Sequence, residues 1–231
     1  WLVGEIWHSG KGWVNHHYFD SVMNYAYFKD PVLEFFILGI CDKKNFCARI
    51  ENGLAQYPIQ GIKAMMNLLG SHDTIRILEL AKGDVSKVKL ALLFQMTFMG
   101  APHIYYGDEI AMLGGKDPDN RRPLPWNDNQ LNTHQKNLRA MVGKLATIRG
   151  ENKALTRGAR STLYVDADTW VYRMGGCTPD ANAVVVAVHR GDGPKTVTVP
   201  SRNYTDLWTG AGHAGGSISL SARGFILLRE D

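Results

Sequence analysis

The stretch Trp1-Leu2-Val3-Gly4-Glu5-Ile6-Trp7-His8 places a carboxylate at the end of a short apolar segment. We interpret this segment as a buried β-strand that brings Glu5 to its carboxyl end. A second stretch, Asn67-Leu68-Leu69-Gly70-Ser71-His72-Asp73-Thr74, repeats the pattern with His72 and Asp73. Two apolar strands that each end in an acid predict carboxylate chemistry at one mouth of a parallel barrel.

Short apolar segments alternate with helical patterns over residues 1–151. Strands are predicted at 2–6, 21–25, 66–70 and 102–106. Asp42 and Asp84 each stand where a side chain can cap a following helix, and an apolar stripe over 138–148 predicts a further helix. Four strand–helix units in a row predict an α/β fold with a parallel sheet and right-handed crossovers.

The pattern changes after Gly150, where short β-branched segments are separated by turn residues. Strands are predicted at 162–165, 169–174, 183–189, 195–199 and 224–228, and the pairs Gly175-Gly176, Asp192-Gly193 and Gly215-Gly216 are interpreted as turns. Residues 152–231 are therefore predicted to form an all-β domain, an antiparallel sandwich.

Composition excludes several classes of function. The chain has 231 residues, of which 45% are hydrophobic and 21% charged, as in ordinary globular proteins. The net charge is +4 and the basic residues are scattered, so no nucleic-acid partner is expected. No apolar run reaches the roughly 18 residues of a membrane span.

The cysteines indicate a compartment. Cys41, Cys47 and Cys177 form an odd number without metal-ligand spacing, which favours a reducing, cytoplasmic location. The sequence does not begin with Met, so a secretory signal ahead of it stays an open alternative.

Three further motifs carry a family resemblance. They are Phe19-Asp20-Ser21-Val22-Met23-Asn24-Tyr25, Gly100-Ala101-Pro102-His103-Ile104-Tyr105-Tyr106-Gly107-Asp108-Glu109-Ile110 and Asp117-Pro118-Asp119-Asn120-Arg121-Arg122-Pro123. With the two stretches above, and in this order, they resemble the strand-end motifs of the α-amylase family. The Glu-Ile-Trp triplet and the last run resemble its neopullulanase, cyclomaltodextrinase and maltogenic amylase subgroup.

The resemblance covers the whole chain and implies its architecture. Residues 1–151 would be the C-terminal half of a TIM (β/α)8 barrel, strands 5–8. Residues 152–231 would be the C-terminal β-sandwich domain that follows the barrel in this family.

The resemblance also implies two catalytic residues. Glu5 matches the general acid/base of a retaining glycosidase, and apolar neighbours would favour the protonated form that serves the leaving oxygen. Asp73 matches the second acid, which holds sugar hydroxyls and favours the distorted ring, and His72 matches its hydrogen-bonding neighbour at the same sugar. A strand-end cap or an ion-pair partner is the alternative for Glu5.

Three more residues match sugar contacts. Trp7 matches an aromatic residue that lines the acceptor side and stacks on a glucose face, with a core or interface tryptophan as the alternative. Asp117 and Arg121 match a pair that contacts glucose on the non-reducing side, with a loop ion pair as the alternative.

Other polar residues of these motifs are expected to have supporting roles. Asp108 and Glu109 should brace a loop, and Asn24 and Tyr25 should support the pocket floor. Arg76 either hydrogen-bonds near the sugar or holds the start of a helix.

The family's nucleophilic aspartate, at the end of the fourth strand, matches no position of this chain. A retaining mechanism needs two carboxylates roughly 5 Å apart. We therefore expect the parent protein to be a retaining α-glucan hydrolase acting on cyclodextrins, pullulan or malto-oligosaccharides, through α-1,4 or also α-1,6 bonds. We expect the 231-residue chain alone to be inactive. The alternative is a non-catalytic glucan-binding or scaffolding protein.

Cofactors and partners follow from the same resemblance. We expect no metal or other cofactor in this chain, because its histidines show no ligand spacing. The full-length family often binds calcium through segments outside this chain. The expected partner is an α-glucan oligosaccharide, and the open edges of a half-barrel are expected to favour self-association.

Overall fold

The computed structural model describes residues 1–15, 17–176 and 182–231, so Cys177 lies outside the described residues. The chain divides into two compact units. The first comprises Trp1–Met96 and Gly100–Leu145, and the second comprises Thr97–Met99 and Ala146–Asp231. None of the helices in the described part of the chain has the length and apolar character to cross a bilayer.

Four short parallel strands form the sheet of the first unit. They are β1 (Val3–Gly4), β2 (Ser21–Val22), β3 (Met66–Leu68) and β4 (Ala101–His103). β1 pairs with β2 and β3 pairs with β4, and a parallel bridge between Met23 and Met66 joins the two pairs. Each strand lies where the sequence predicts one, but is shorter. Because the strands are parallel, their carboxyl ends lie along one edge of the sheet.

Helices follow the strands of this unit. They are α1 (Asp30–Val32), which lies between π-helical turns over Tyr25–Lys29 and Leu33–Leu38, then α2 (Lys43–Gln56), α3 (Ile59–Ala64), α4 (Ile77–Leu80), α5 (Val85–Thr97) and α6 (Thr133–Glu151). The predicted cap is confirmed at α2, where Asp42 Oδ1 accepts from Asn45 N at 2.8 Å. α5 buries Val88, Leu92 and Phe94 almost completely, as its apolar sequence predicts.

The second unit contains α7 (Lys153–Arg157) and one antiparallel sheet. Its strands are β5 (Ala159–Val165), β6 (Thr169–Gly175), β7 (Val184–His189), β8 (Lys195–Asp206), β9 (Gly212–Leu220) and β10 (Phe225–Glu230). The order in the sheet is β5-β6-β7-β10-β8-β9. An all-β region at the end of the chain is therefore confirmed.

The described strands join into one hydrogen-bonded sheet, whereas a sandwich is formed from two. β8 pairs with β10 only over 204–206, and its pairing with β9 shifts register between Val199 and Asn203. One core contains Val171 and Val185 from β6 and β7 together with Val197 and Ile218 from β8 and β9. The register shift marks a bulge or another irregularity in β8.

The prediction that Gly215-Gly216 marks a turn is wrong, because both residues lie within β9. A Cβ at Gly215 would overlap the backbone of Pro200 and Arg202, and Gly216 has φ +96°. The glycines allow close approach and positive φ beside the register shift in β8. A strand built this way lacks the alternating apolar pattern by which strands are recognised.

Candidate active site

Glu5 lies directly after β1, at the carboxyl edge of the parallel sheet. Gly4 precedes it because a Cβ there would lie 2.7 Å from the ring of Phe19. Glu5 is exposed, and it borders a pocket of about 450 Å³ that is also lined by Ile6, Trp7, His8, Trp13 and Phe19. Among the described residues it forms no ion pair or hydrogen bond. The side chain is therefore available to a ligand, although its surroundings are less enclosed than its apolar neighbours predict.

Trp7 stacks on a buried tyrosine. Its ring centroid lies 4.0 Å from that of Tyr25, with 13° between the planes. Trp7 is 50% exposed and Tyr25 only 1%. One face of the indole is thus held by the unit, which disfavours the alternative of a core tryptophan.

His72 and Asp73 lie in a turn after β3. Ser71 is buried and organises the turn: its Oγ accepts from Asp73 N at 3.3 Å, and its carbonyl accepts from Thr74 N at 3.2 Å. His72 Nε2 lies 3.3 Å from Asp73 Oδ2. Side-chain atoms of Glu5, His72 and Asp73 all lie within 4.8 Å of one another. The structure therefore brings the ends of two separated strands together.

Asp117 and Arg121 extend this cluster. Arg121 Nη2 lies 3.3 Å from Asp73 Oδ1, and Arg121 Nε lies 3.1 Å from Asp117 Oδ1. All three side chains are partly exposed. The ion pair that the sequence offers as an alternative is thus present, and Arg121 bridges the carboxylates of Asp73 and Asp117.

Glu5, His72 and Asp73 also have the residue types that ligate metals. Among residues 1–15, 17–176 and 182–231, they are the group of three close enough to share an ion. Exposed acidic groups commonly lie together without a metal, and this chemistry alone does not identify one. The absence of a metal site stays a prediction.

The carboxylates of the cluster affect the pKa of the Tyr25 hydroxyl. Burial raises the pKa of its hydroxyl, the hydrogen bond to Ser71 lowers it, and the negative charges of Glu5 and Asp73 raise it further. Tyr25 OH lies 3.4 Å from Ser71 Oγ. Tyr25 therefore contacts both Trp7 and Ser71, and its place in a pocket floor stays a prediction.

Arg76 is buried beneath the cluster and does not reach its surface. Its side chain is completely buried; Nη1 lies 3.3 Å from Asp108 Oδ1 and donates to the carbonyl of Tyr106, and Nε donates to the carbonyl of Asn120 at 2.8 Å. Burial raises the pKa of Asp108 to about 7, although Arg76 acts to lower it. Arg76 and Asp108 therefore brace loops, and a sugar contact for Arg76 is excluded by its burial.

Asn24 and Glu109 also make supporting contacts. Asn24 Nδ2 donates to Asn67 Oδ1 at 2.9 Å, and Glu109 Oε2 accepts from Gly107 N at 2.7 Å. Two supporting residues, Ser71 and Asn120, were not predicted. Both are small polar residues inside motifs in which functional roles were assigned to the neighbouring charged residues.

Comparison with known proteins places this geometry in a family. The family described as alpha amylase, catalytic domain, matches residues 1–158. The chain belongs to the α-amylase family. It is 40% identical over 191 residues to neopullulanase 2 of Thermoactinomyces vulgaris, covering 83% of this chain and 32% of that protein. It is 37% identical over 236 residues to a cyclomaltodextrinase of Geobacillus thermopakistaniensis, covering 98% of this chain and 39% of that protein.

Solved structures give the same answer. A cyclomaltodextrinase structure superposes with a TM-score of 0.89 and 32% identity, over 99% of this chain and 40% of that chain. The cyclic α-maltosyl-(1→6)-maltose hydrolase of Arthrobacter globiformis superposes with a TM-score of 0.86 and 31% identity, over 99% and 49%. This α-amylase family chain thus spans about a third to two fifths of the curated relatives named above.

Proposed function

We propose that this chain supplies the general acid/base and part of the sugar-binding surface of a retaining α-glucan hydrolase. The proposed substrates are cyclodextrins, pullulan or malto-oligosaccharides. The observation that carries the proposal is the convergence of Glu5, His72 and Asp73 within 4.8 Å at the ends of two strands. The similarity to a neopullulanase and to cyclomaltodextrinases supports the choice of substrate class.

In this proposal each exposed group of the cluster has one task. Glu5 donates a proton to the leaving glycosidic oxygen and later takes one from water. Asp73 and His72 hold hydroxyl groups of the sugar whose bond is cleaved. The exposed face of Trp7 stacks on the neighbouring sugar, and Asp117 and Arg121 contact a more distant one.

A retaining mechanism also needs a nucleophilic carboxylate. Because Asp73 is assigned to sugar binding, we infer that the nucleophile comes from a segment of the parent protein outside these 231 residues. The parallel sheet of the first unit would then be strands 5–8 of a TIM barrel completed by that segment. The proposal also includes calcium binding through such segments, a cytoplasmic location and self-association through open strand edges.

Complementation tests the proposal. The chain is produced together with the segment of the Geobacillus cyclomaltodextrinase that precedes its matched region, and hydrolysis of β-cyclodextrin is measured. We expect hydrolysis from the pair and none from either polypeptide alone. Glu5→Gln keeps the shape of the side chain but cannot donate the proton, so it should lower kcat by about 100-fold or more.

Glu79→Gln is the matched control, because Glu79 is an exposed glutamate of α4. It should leave hydrolysis unchanged. Hydrolysis by the 231-residue chain alone would contradict the inferred external nucleophile. Binding of maltotriose by the pair without any hydrolysis would favour a glucan-binding or scaffolding protein instead.

A further inference from the structure

Asn120 is a completely buried polar residue between two proposed sugar contacts. It lies in the short 3₁₀ turn Asp119–Arg121, and its exposed fraction is 0%. We propose that Asn120 is a positioning residue that fixes the turn carrying His72 and Asp73. The consequence for sugar binding rests on the proposed function, whereas the effect on the turn does not.

The side-chain amide of Asn120 holds the turn at two points. Its Nδ2 donates to the carbonyl of His72 at 2.6 Å and to the carbonyl of Thr74 at 3.0 Å. These two carbonyls lie on either side of Asp73 along the chain. Only the NH2 group of an amide can donate to both, so chemistry fixes the orientation of the side chain. Both hydrogens of that group are used by the turn.

Asn120 is itself held from behind by buried groups. The backbone carbonyl of Asn120 accepts from Arg76 Nε at 2.8 Å, and the backbone amide of Arg76 donates to the carbonyl of Gly114 at 3.1 Å. A Cβ at Gly114 would lie 2.9 Å from the Cα of Asn120, so the two backbone segments are in close contact. The amide therefore has little freedom to move away from the turn.

The surface contacts of Asp73 are weaker constraints than this buried amide. Its carboxylate faces Arg121 and His72 at 3.3 Å, but those side chains are 44% and 55% exposed. Exposed ion pairs contribute little, because water competes with them. Loss of the buried donor removes the Asn120 bond from both carbonyls; the His72 carbonyl keeps a bond from Arg121 Nε at 3.0 Å, whereas the Thr74 carbonyl loses its side-chain donor, which is the costlier change. Together with the buried Ser71, which bonds the amides of Asp73 and Thr74, Asn120 thus fixes the backbone at Asp73.

Asn120→Asp tests this role. The two residues have nearly the same shape, but a carboxylate cannot donate and would face two carbonyl oxygens. Asn152→Asp is the matched control, because Asn152 Nδ2 donates to the carbonyl of Ile148 at 2.7 Å within the second unit. Asn120→Ser removes the amide that donates to both carbonyls without adding charge. It covers the case in which the aspartate variant does not fold.

Two quantities are measured on the 231-residue chain. Amide hydrogen exchange of residues 72–74 should accelerate at least about tenfold in the Asn120 variants and stay unchanged in Asn152→Asp, at equal global stability. The affinity for maltotriose, followed by calorimetry, should fall by about tenfold or more in the same variants only.

The outcomes separate the two ideas. If the exchange of residues 72–74 is the same in Asn120→Ser and Asn152→Asp as in the unaltered chain, the positioning role is refuted. If exchange of residues 72–74 is faster in the Asn120 variants but the unaltered chain binds no maltotriose, the positioning role stands. The sugar-binding part of the proposed function then fails for the isolated chain.

Discussion

Replacing Arg76 by methionine is expected to destabilise the first unit by about 3–5 kcal/mol at pH 8. The side chains of Arg76 and Asp108 are 0% and 2% exposed and lie 3.3 Å apart. Methionine keeps much of the apolar stem but removes the charge and the donors that serve Asp108, Tyr106 and Asn120. Without the guanidinium the pKa of Asp108 rises further, so the buried carboxyl takes up a proton at pH 8. That proton uptake adds roughly 1.4 kcal/mol for each pH unit above 7 to the cost of the lost donors.

The cost should depend on pH. Burial raises the pKa of Asp108 to about 7 from its ordinary value of 3.8. The folded state therefore holds a proton that the unfolded state releases between about pH 4 and pH 7, so stability falls as pH rises through that window. The fall is on the order of 4 kcal/mol. At pH 5, well below its folded-state pKa of about 7, Asp108 is neutral in the folded state, so Arg76→Met loses only hydrogen bonds there, about 2 kcal/mol.

Urea unfolding at pH 5 and pH 8, followed by circular dichroism, measures both values. Arg121→Met is the control, because Arg121 is 44% exposed and its ion pairs should be worth less than about 1 kcal/mol at either pH. A loss below about 1 kcal/mol for Arg76→Met at pH 8, or the same loss at both pH values, would refute the buried-pair account. A further variant, Asp108→Asn, should remove the fall in stability between pH 4 and pH 7.

Two other substitutions probe close contacts within each unit. Gly70→Ala places a Cβ against Asp108 Oδ2, so the free energy of unfolding, followed by thermal melting, should fall by about 1–3 kcal/mol. Gly193→Ala, whose Cβ would meet open space, should change it little. Tyr172→Phe removes a buried hydroxyl that lies 2.6 Å from Thr97 Oγ1, so urea unfolding should show a loss of about 1–2 kcal/mol; no loss would mean that this hydrogen bond is not formed in solution.

The sequence indicated the exposed charged residues of the candidate site better than the buried polar residues that support them. Glu5 and Asp73 follow apolar strands, and parallel pairing brings strand ends to one edge, so their proximity could be expected. Asn120 and Ser71 could not be found in this way. Their function depends on which carbonyls and amides they meet in three dimensions, and that information is not local in the chain.

The fold shows the same division. α2 and α5 were predicted because caps and apolar periodicity are local signals. β9 was missed because Gly215 lies against the backbone of β8 at its register shift, in a different part of the sequence, and this contact leaves no local signal. Strands of two or three residues in the first unit also ended earlier than their apolar patterns, since the pattern continues into the turns that carry the site.

Tyr25 links the two strand ends of the proposed site through buried contacts. Its ring supports Trp7, two residues after Glu5, and its hydroxyl donates to Ser71 Oγ, which accepts from the backbone amide of Asp73. Asn120 also holds this turn, through the carbonyls of His72 and Thr74. The groups that would touch a sugar are thus fixed through buried polar contacts beneath them. Substitutions of the buried residues should therefore alter ligand binding as strongly as substitutions of the surface ones.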